Sequence, residues 1–269
     1  MPASKNIIIT GGSSGLGLEL ARHYAREGHN IGLIARNPGK LQSSVEQLQA
    51  LSPAAGLAYR SADVIDPAAA REAVSQLVAS MGGLDLLINS AGILREGRFE
   101  DIPLETFREV MDINLFGTIN ATRAALPHLK TSRGQLVNIA SMAALTGVFG
   151  YTPYTASKHA LAGFTESLRY ELKPQGVTVQ LICPPEFDSP MVAELNRNRT
   201  PENQAHTLMI PMEPVAVIVR DTVKAIERGN YFTVAGFKAR CAALGIRYFP
   251  ALTRFAADRV IRNTQEKQR

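Results

Sequence analysis

The chain has 269 residues, is 45% apolar, carries a net charge of +5 and contains two cysteines. That length and apolar content suit one large α/β domain, residues 1–269, and leave no need for a second. No apolar stretch is long enough to span a membrane, residues 1–5 lead straight into an apolar run without a signal-peptide segment, and Cys183 and Cys241 stand far apart without histidines at ligand spacing; transmembrane, disulfide-stapled and zinc-centred classes are thereby excluded and no metal site is expected.

The first apolar run, Asn6–Thr10, feeds into Gly11-Gly12-Ser13-Ser14-Gly15-Leu16-Gly17 and then into a helical pattern with apolar Leu16, Leu20 and Tyr24. Strand, glycine turn and helix in that order make a phosphate cradle: glycines let the backbone approach a pyrophosphate, and a helix N-terminus turns unpaired N–H groups toward it. Further β-branched runs follow at residues 30–35, 57–61, 84–89, 135–140, 177–183 and 231–235, separated by longer segments of helical periodicity. Such alternation predicts βαβ units and hence a single-domain Rossmann fold, a doubly wound parallel sheet of about seven strands. Ligands of such sheets bind beyond the carboxyl ends of the strands. Here those ends carry Gly11 to Gly17, Arg36, Asp63-Val64, Asn89-Ser90-Ala91-Gly92, Ser141 and Pro184-Pro185.

Tyr154 and Lys158 are four residues apart within a segment of helical periodicity, 151–172, and Ser141 precedes Tyr154 by thirteen residues. On a helix the phenol and the ammonium share a face, one turn apart. A phenol titrates near ~10 and exchanges protons poorly at neutral pH unless a cation stabilises the phenolate, which Lys158 could supply. Other roles stay open: Ser141 suits a helix N-cap, Asn114 suits a helix-interior amide bonded to a carbonyl, and Tyr151 is a competing phenol seven residues from Lys158. The histidines are scattered, so a catalytic one is not expected.

Residues 184–212 form a long irregular stretch carrying Met191, Val192, Leu195, Leu208, Met209, Ile210 and Met212. Apolar residues that a solvated loop would not need predict a lid over a hydrophobic substrate. Positive charge concentrates in the tail, 236–269, where eight Lys/Arg face two acids. No nucleic-acid-binding motif accompanies it. With Tyr248, Phe249, Leu252 and Phe255 beside these charges, the tail suits either peripheral contact with anionic lipid or a packed structural helix.

Thr10-Gly-Gly-Ser-Ser-Gly-Leu-Gly17, Asn89-Ser-Ala-Gly92, Asn114, Ser141 and Tyr154-x-x-x-Lys158, in this order and spacing, resemble the short-chain dehydrogenase/reductase superfamily over residues 5–235. Within it, Pro184-Pro-Glu-Phe-Asp-Ser-Pro190, Arg36-Asn-x-x-Lys40 and the basic tail are most similar to the 3-ketodihydrosphingosine reductases. The resemblance implies that Tyr154 gives a proton to a carbonyl oxygen as hydride arrives, that Ser141 hydrogen-bonds this oxygen, and that Lys158 holds the nicotinamide ribose and lowers the Tyr154 pKa. Asn114 would keep a water in the proton relay. The glycine loop, through Gly11, Ser13, Ser14, Gly15, Leu16 and Gly17, would take the pyrophosphate. Asp63 would bond the adenine amine with the Val64 backbone beside it, Asn89, Ala91 and Gly92 would line the adenine-ribose side, and Pro184 would border the nicotinamide. Pro185 departs from the Pro-Gly of most members, replacing a permissive backbone with a fixed φ.

Arg36 and Lys40 close the second strand with no acid before Glu46. A basic residue there accommodates a 2′-phosphate, so NADPH is expected over NADH. The reaction expected is NADPH-dependent reduction of a lipophilic ketone to a secondary alcohol, with 3-ketodihydrosphingosine to dihydrosphingosine first. Another lipophilic carbonyl (steroid, retinoid or 3-oxoacyl thioester) is the second reading, and a non-catalytic NADP-sensing protein is the reading from another class. Expected partners are a lipophilic small molecule and further copies of the chain as a homo-oligomer, but no nucleic acid. The expected location is the cytoplasm, with peripheral contact at the cytoplasmic face of a membrane.

Overall fold

Strands β1 (Asn6–Thr10), β2 (Asn30–Ala35), β3 (Leu57–Ser61), β4 (Leu86–Asn89), β5 (Gln135–Ile139), β6 (Thr178–Cys183) and β7 (Phe232–Val234) pair side by side in the order β3-β2-β1-β4-β5-β6-β7. Every pairing is parallel. The computed structural model describes residues 4–268. Residues 1–3, part of the leaderless start expected above, and Arg269 of the basic tail lie outside the described residues.

Parallel neighbours need crossovers, and the chain supplies them as helices α1 (Gly15–Arg26), α2 (Pro38–Leu51), α3 (Pro67–Met81), α4 (Leu104–Met111), α5 (Gly117–Ser132) and α6 (Thr152–Leu172). The rest of the helices are α7 (Pro190–Leu195), α8 (Pro201–Thr207), α9 (Val215–Arg228), α10 (Phe237–Tyr248) and α11 (Pro250–Glu266). Alternation along β1 divides its side chains between two cores. Ile7 and Ile9 pack with Leu20 and Tyr24 of α1, Leu41 of α2 and Ile226 of α9, whereas Ile8 packs with Val74 and Leu77 of α3 and Leu129 of α5. Both faces of the central strands are therefore covered, which is why these strands are largely apolar. Truncating one of these fully buried side chains to Ala costs about 2–5 kcal/mol.

One polar seam crosses this apolar sheet. Asn89 and Asn138 are register partners on β4 and β5. Asn89 Nδ2 donates to Asn138 Oδ1 at 2.9 Å and to Thr122 Oγ1 of α5 at 3.0 Å, and Asn138 Nδ2 donates to Thr165 Oγ1 of α6 at 2.9 Å.

The order reverses between β1 and β4, and the crevice outside their carboxyl ends is where a doubly wound sheet binds ligands. Two segments over this crevice have more structure than their sequences suggest. Residues 184–212 contain the short helices α7 and α8, with Ser189 and Thr200 accepting capping bonds and proline at the first helical turn of each. Residues 236–269 fold as a hairpin of α10 and α11, in which Pro250 opens α11 instead of interrupting a helix. No helix among the described residues is long and apolar enough to cross a membrane.

Candidate active site

The turn after β1 is built on glycine for steric reasons. Gly11 has φ of 68°, and a Cβ there would stand 2.7 Å from the Ala91 backbone nitrogen; a Cβ at Gly17 would stand 2.6 Å from the Gly11 carbonyl oxygen. Gly15, φ 52°, faces open space. Ser14 precedes α1 in an extended conformation and makes no side-chain capping bond, so the first N–H groups of the helix stay available to an anion. Gly11, Ser14, Gly15 and Leu16 line a cavity of about 650 Å³. This cradle fits a dinucleotide pyrophosphate. Ser13 and Gly17 shape the turn from outside the cavity wall.

The same cavity is lined by Ser90, Ala91 and Gly92 after β4, Ser141 after β5, Tyr154 and Lys158 of α6, and Pro184 and Pro185 after β6. Tyr154 is 8% and Lys158 5% exposed, and the Lys158 ammonium lies 5.6 Å from the centre of the Tyr154 ring. Lys158 Nζ donates to the Ile139 carbonyl at 3.0 Å. Burial pulls the Lys158 ammonium down to about 8 and pushes the Tyr154 phenol up to about 12, with Ser141 hydrogen bonding acting against the latter. The implied lowering of the Tyr154 pKa by Lys158 is therefore not what this geometry yields: desolvation outweighs an ammonium set over the ring and already bonded to a carbonyl. A phenol held protonated is nonetheless the form a proton donor needs. Ser141 lines the cavity, and its Oγ accepts from the Ala143 N–H at 3.1 Å as the cap of a short 3₁₀ turn, the capping role its sequence position also allowed.

Asn114 is fully buried in a π-helical turn, Asp112–Phe116, between α4 and α5. Its Oδ1 accepts from the Ile93 N–H at 2.8 Å, and its Nδ2 donates to the Ile93 carbonyl at 3.0 Å and to Ser157 Oγ at 2.9 Å. The side chain thus clamps the strand end that carries Gly92 to the helix that carries Lys158. π-turns of this kind gather at functional sites. Asn89 differs from its implied place at the ribose: its amide turns into the buried seam, so only the backbone after it reaches the cavity.

Arg36 and Lys40 are exposed at the end of β2 and the start of α2, and neither is in an ion pair among the described residues. Asp63 lies half-buried after β3, accepting from the Ile65 N–H at 3.2 Å, and Val64 is buried against α5 with its carbonyl bonded to Asn120 Nδ2 at 3.0 Å. These four stand outside the lining of the cavity, on the shoulder of the crevice formed by β2 and β3.

Residues 184–212, expected to form a lid, contribute part of the cavity wall. Met191, Val192, Met209 and Ile210 line the cavity, Met191 and Met209 while also exposed; Leu208 and Met212 are exposed outside the lining, and Leu195 packs against the Tyr151–Tyr154 cluster. Sequence reasoning passed over several lining residues. His206 was read as one of a scattered set, yet its Nδ1 accepts from the Phe149 N–H at 3.1 Å, which leaves the proton on Nε2, and burial lowers its pKa so that it is neutral at pH 7. Glu186 and Tyr151 also line the cavity, as do Thr253, Ala257 and Ile261 of α11. The α11 spacing of four residues is a usable sign of one half-buried helix face.

A family model described as short chain dehydrogenase matches residues 5–200. A 3-ketodihydrosphingosine reductase from Bos taurus is 33% identical over 239 residues, which cover 86% of this chain and 71% of that protein. An 11-beta-hydroxysteroid dehydrogenase-like protein, 4A, from Arabidopsis thaliana is 34% identical over 230 residues, covering 85% and 75% respectively. Among solved structures, a variant actinorhodin polyketide ketoreductase with NADPH superposes with a TM-score of 0.78 at 27% identity, over 86% of this chain and 95% of that one. The seven-stranded parallel sheet, the glycine cradle and a match that spans both the cradle and the Ser141, Tyr154, Lys158 cluster lead to one conclusion: this chain belongs to the short-chain dehydrogenase family and is an oxidoreductase.

Proposed function

We propose that the protein is an NADPH-dependent reductase of a lipophilic 3-keto amine, converting 3-ketodihydrosphingosine to dihydrosphingosine. The observation that carries this reading is one cavity lined by the phosphate cradle, by the Ser141, Tyr154, Lys158 cluster and by apolar side chains of residues 184–212. NADPH supplies the hydride when bound. The N–H groups at the start of α1 hold its pyrophosphate, and Arg36 and Lys40 take the 2′-phosphate. Asp63 and the backbones of Val64, Ala91 and Gly92 border the adenosine, and Pro184 borders the nicotinamide. Lys158 secures the ribose next to it.

Ser141 and Tyr154 bond the ketone oxygen, and Tyr154 donates its proton as negative charge develops there. Asn114 fixes the relative placement of Gly92 and Lys158. The lid and α11 exclude water from the acyl chain. The tail contacts the cytoplasmic face of a membrane, where such a ketone partitions, and the chain self-associates.

A second reading, reduction of another lipophilic carbonyl such as a steroid, is favoured by the Arabidopsis relative. NADPH oxidation by the purified protein against a keto-sphingoid base, a steroid ketone and an acetoacetyl thioester separates the readings. Turnover confined to the sphingoid base supports the first. A preference for the steroid or thioester transfers the assignment, and cofactor binding with no turnover on any of the three leaves a sensing role.

A further inference from the structure

Glu186 follows the Pro184-Pro185 turn and lines the cavity, whereas its partner Arg199, on the segment between α7 and α8, does not. Arg199 Nη1 and Nη2 donate to the two Glu186 carboxylate oxygens, both at 2.8 Å. The other N–H groups of the guanidinium are also taken, by Asn203 Oδ1 at 2.7 Å, Asn196 Oδ1 at 3.1 Å and Thr207 Oγ1. With all five donors engaged and the side chain 6% exposed, Arg199 cannot turn toward a ligand without losing bonds it has no means to replace. The carboxylate is different. It offers about four acceptor positions, and the arginine fork uses two. No other side-chain or backbone donor reaches its oxygens among the described residues. Glu186 lines the same cavity as Tyr151 and Tyr154, and burial and its charge both raise the pKa of the two phenols. The second carboxylate of the lining, Asp258, is exposed on α11.

We propose that Glu186 is the specificity determinant of the site, accepting a hydrogen bond from a cationic amino group on the carbon next to the ketone that Ser141 and Tyr154 hold. This inference rests on the functional reading above. Arg199 serves as the backing charge, bonded to the carboxylate through both of its terminal nitrogens while no substrate is bound. An ammonium touching the carboxylate is about twice as far from the guanidinium behind it, so attraction exceeds repulsion in inverse proportion to distance. A steroid ketone or an acyl thioester brings no such cation and would leave the free acceptor positions of Glu186 dry and unpaired, which disfavours both.

The test compares kcat/KM for the keto-sphingoid base with that for the same hydroxyketone bearing hydrogen in place of the amino group, both with NADPH. A charge-assisted hydrogen bond of this type corresponds to roughly 10- to 100-fold. The wild-type protein is expected to prefer the amine by that factor, and Glu186→Gln is expected to lose the preference through the amine substrate alone, with the amine-free ketone changing only a few-fold. Arg199→Met supplies the second arm, since it removes the lid bond but keeps the carboxylate. It is expected to retain the amine preference, whereas a residue that merely latches the lid would lower both substrates alike in both variants. Equal reduction of the two ketones by the wild type overturns the role of Glu186 and leaves the reductase reading standing. Reduction of neither overturns that reading and the inference with it. Should Glu186→Gln fail to fold, the wild-type ratio and the Arg199→Met ratio decide.

Discussion

At the scale of single residues, the proposed chemistry turns on two buried groups whose titrations are displaced in opposite senses. Burial raises the Tyr154 phenol to about 12, so it stays protonated across the working range and contributes no limb to a pH profile there. Burial lowers the Lys158 ammonium to about 8, so its cation is complete below that pH and is lost above it. We therefore expect kcat/KM for ketone reduction, measured with NADPH below saturation, to fall as pH rises through about 8. Lys158→Arg, which stays charged, should remove that limb from whatever activity remains. A profile flat to pH 10 in the wild type would detach Lys158 from the rate. Tyr154→Phe is expected to lower kcat by roughly 10²–10⁴-fold while leaving NADPH affinity nearly intact, because the lost proton donor acts on charge that exists only during reaction. Single-turnover absorbance and a cofactor titration check both halves.

At the scale of elements, the proposed seat of cofactor choice is where β2 runs into α2. Asn37 caps α2, accepting from the Lys40 N–H at 2.9 Å, which leaves the Arg36 and Lys40 side chains free and exposed on either side of it. Arg36→Asp should shift preference from NADPH toward NADH by exchanging attraction for repulsion at an exposed 2′-phosphate, a difference of a few kcal/mol at most. Binding constants for both cofactors in both proteins test this, and equal wild-type affinities would remove Arg36 from the assignment. This strand end could be read without coordinates, as could all seven strands, because the central strands, covered on both faces, leave largely apolar runs, and the part-buried edge strands β3 and β7 keep the same alternation with helical segments. The short helices α7 and α8 were harder, since six or seven residues show too little periodicity to distinguish from a loop. Their signals lay in Ser189-Pro190 and Thr200-Pro201, a capping residue followed by a proline at the first helical position. The π-turn at Asn114 left no such sign. It depends on how α4 and α5 meet Ile93 and Ser157, contacts that are distant in the chain.

For the molecule as a whole, the α10–α11 hairpin presents apolar side chains on two sides. Gly245, Ile246, Thr253 and Ala257 line the cavity, while Leu244, Tyr248, Phe249, Leu252 and Phe255 are exposed among Arg247, Arg254 and Arg259. Such a surface matches an anionic membrane interface, with each basic residue worth about 1 kcal/mol. Because α11 is also a wall of the cavity, deleting the tail after Gly236 would disturb ketone binding as well. The cleaner variant is Phe249→Glu with Leu252→Glu. It should lower co-sedimentation with anionic liposomes, as high salt should for the wild type, without changing NADPH affinity. Unchanged sedimentation of the variant would assign this face to another role.

The Asn89–Asn138 rung has a different kind of consequence. In a sheet that is apolar above and below, sliding β4 past β5 by one residue exchanges one aliphatic side chain for another and is barely penalised by pattern alone. The two amides remove that degeneracy, since any slip separates them from each other and from Thr122 and Thr165, stranding hydrogen-bonding groups in a dry interior. Alignment at the centre of this sheet is thus written in polar pairing instead of greasiness, and it is this alignment that fixes the two neighbouring strand ends from which the segments carrying Gly92 and Ser141 continue.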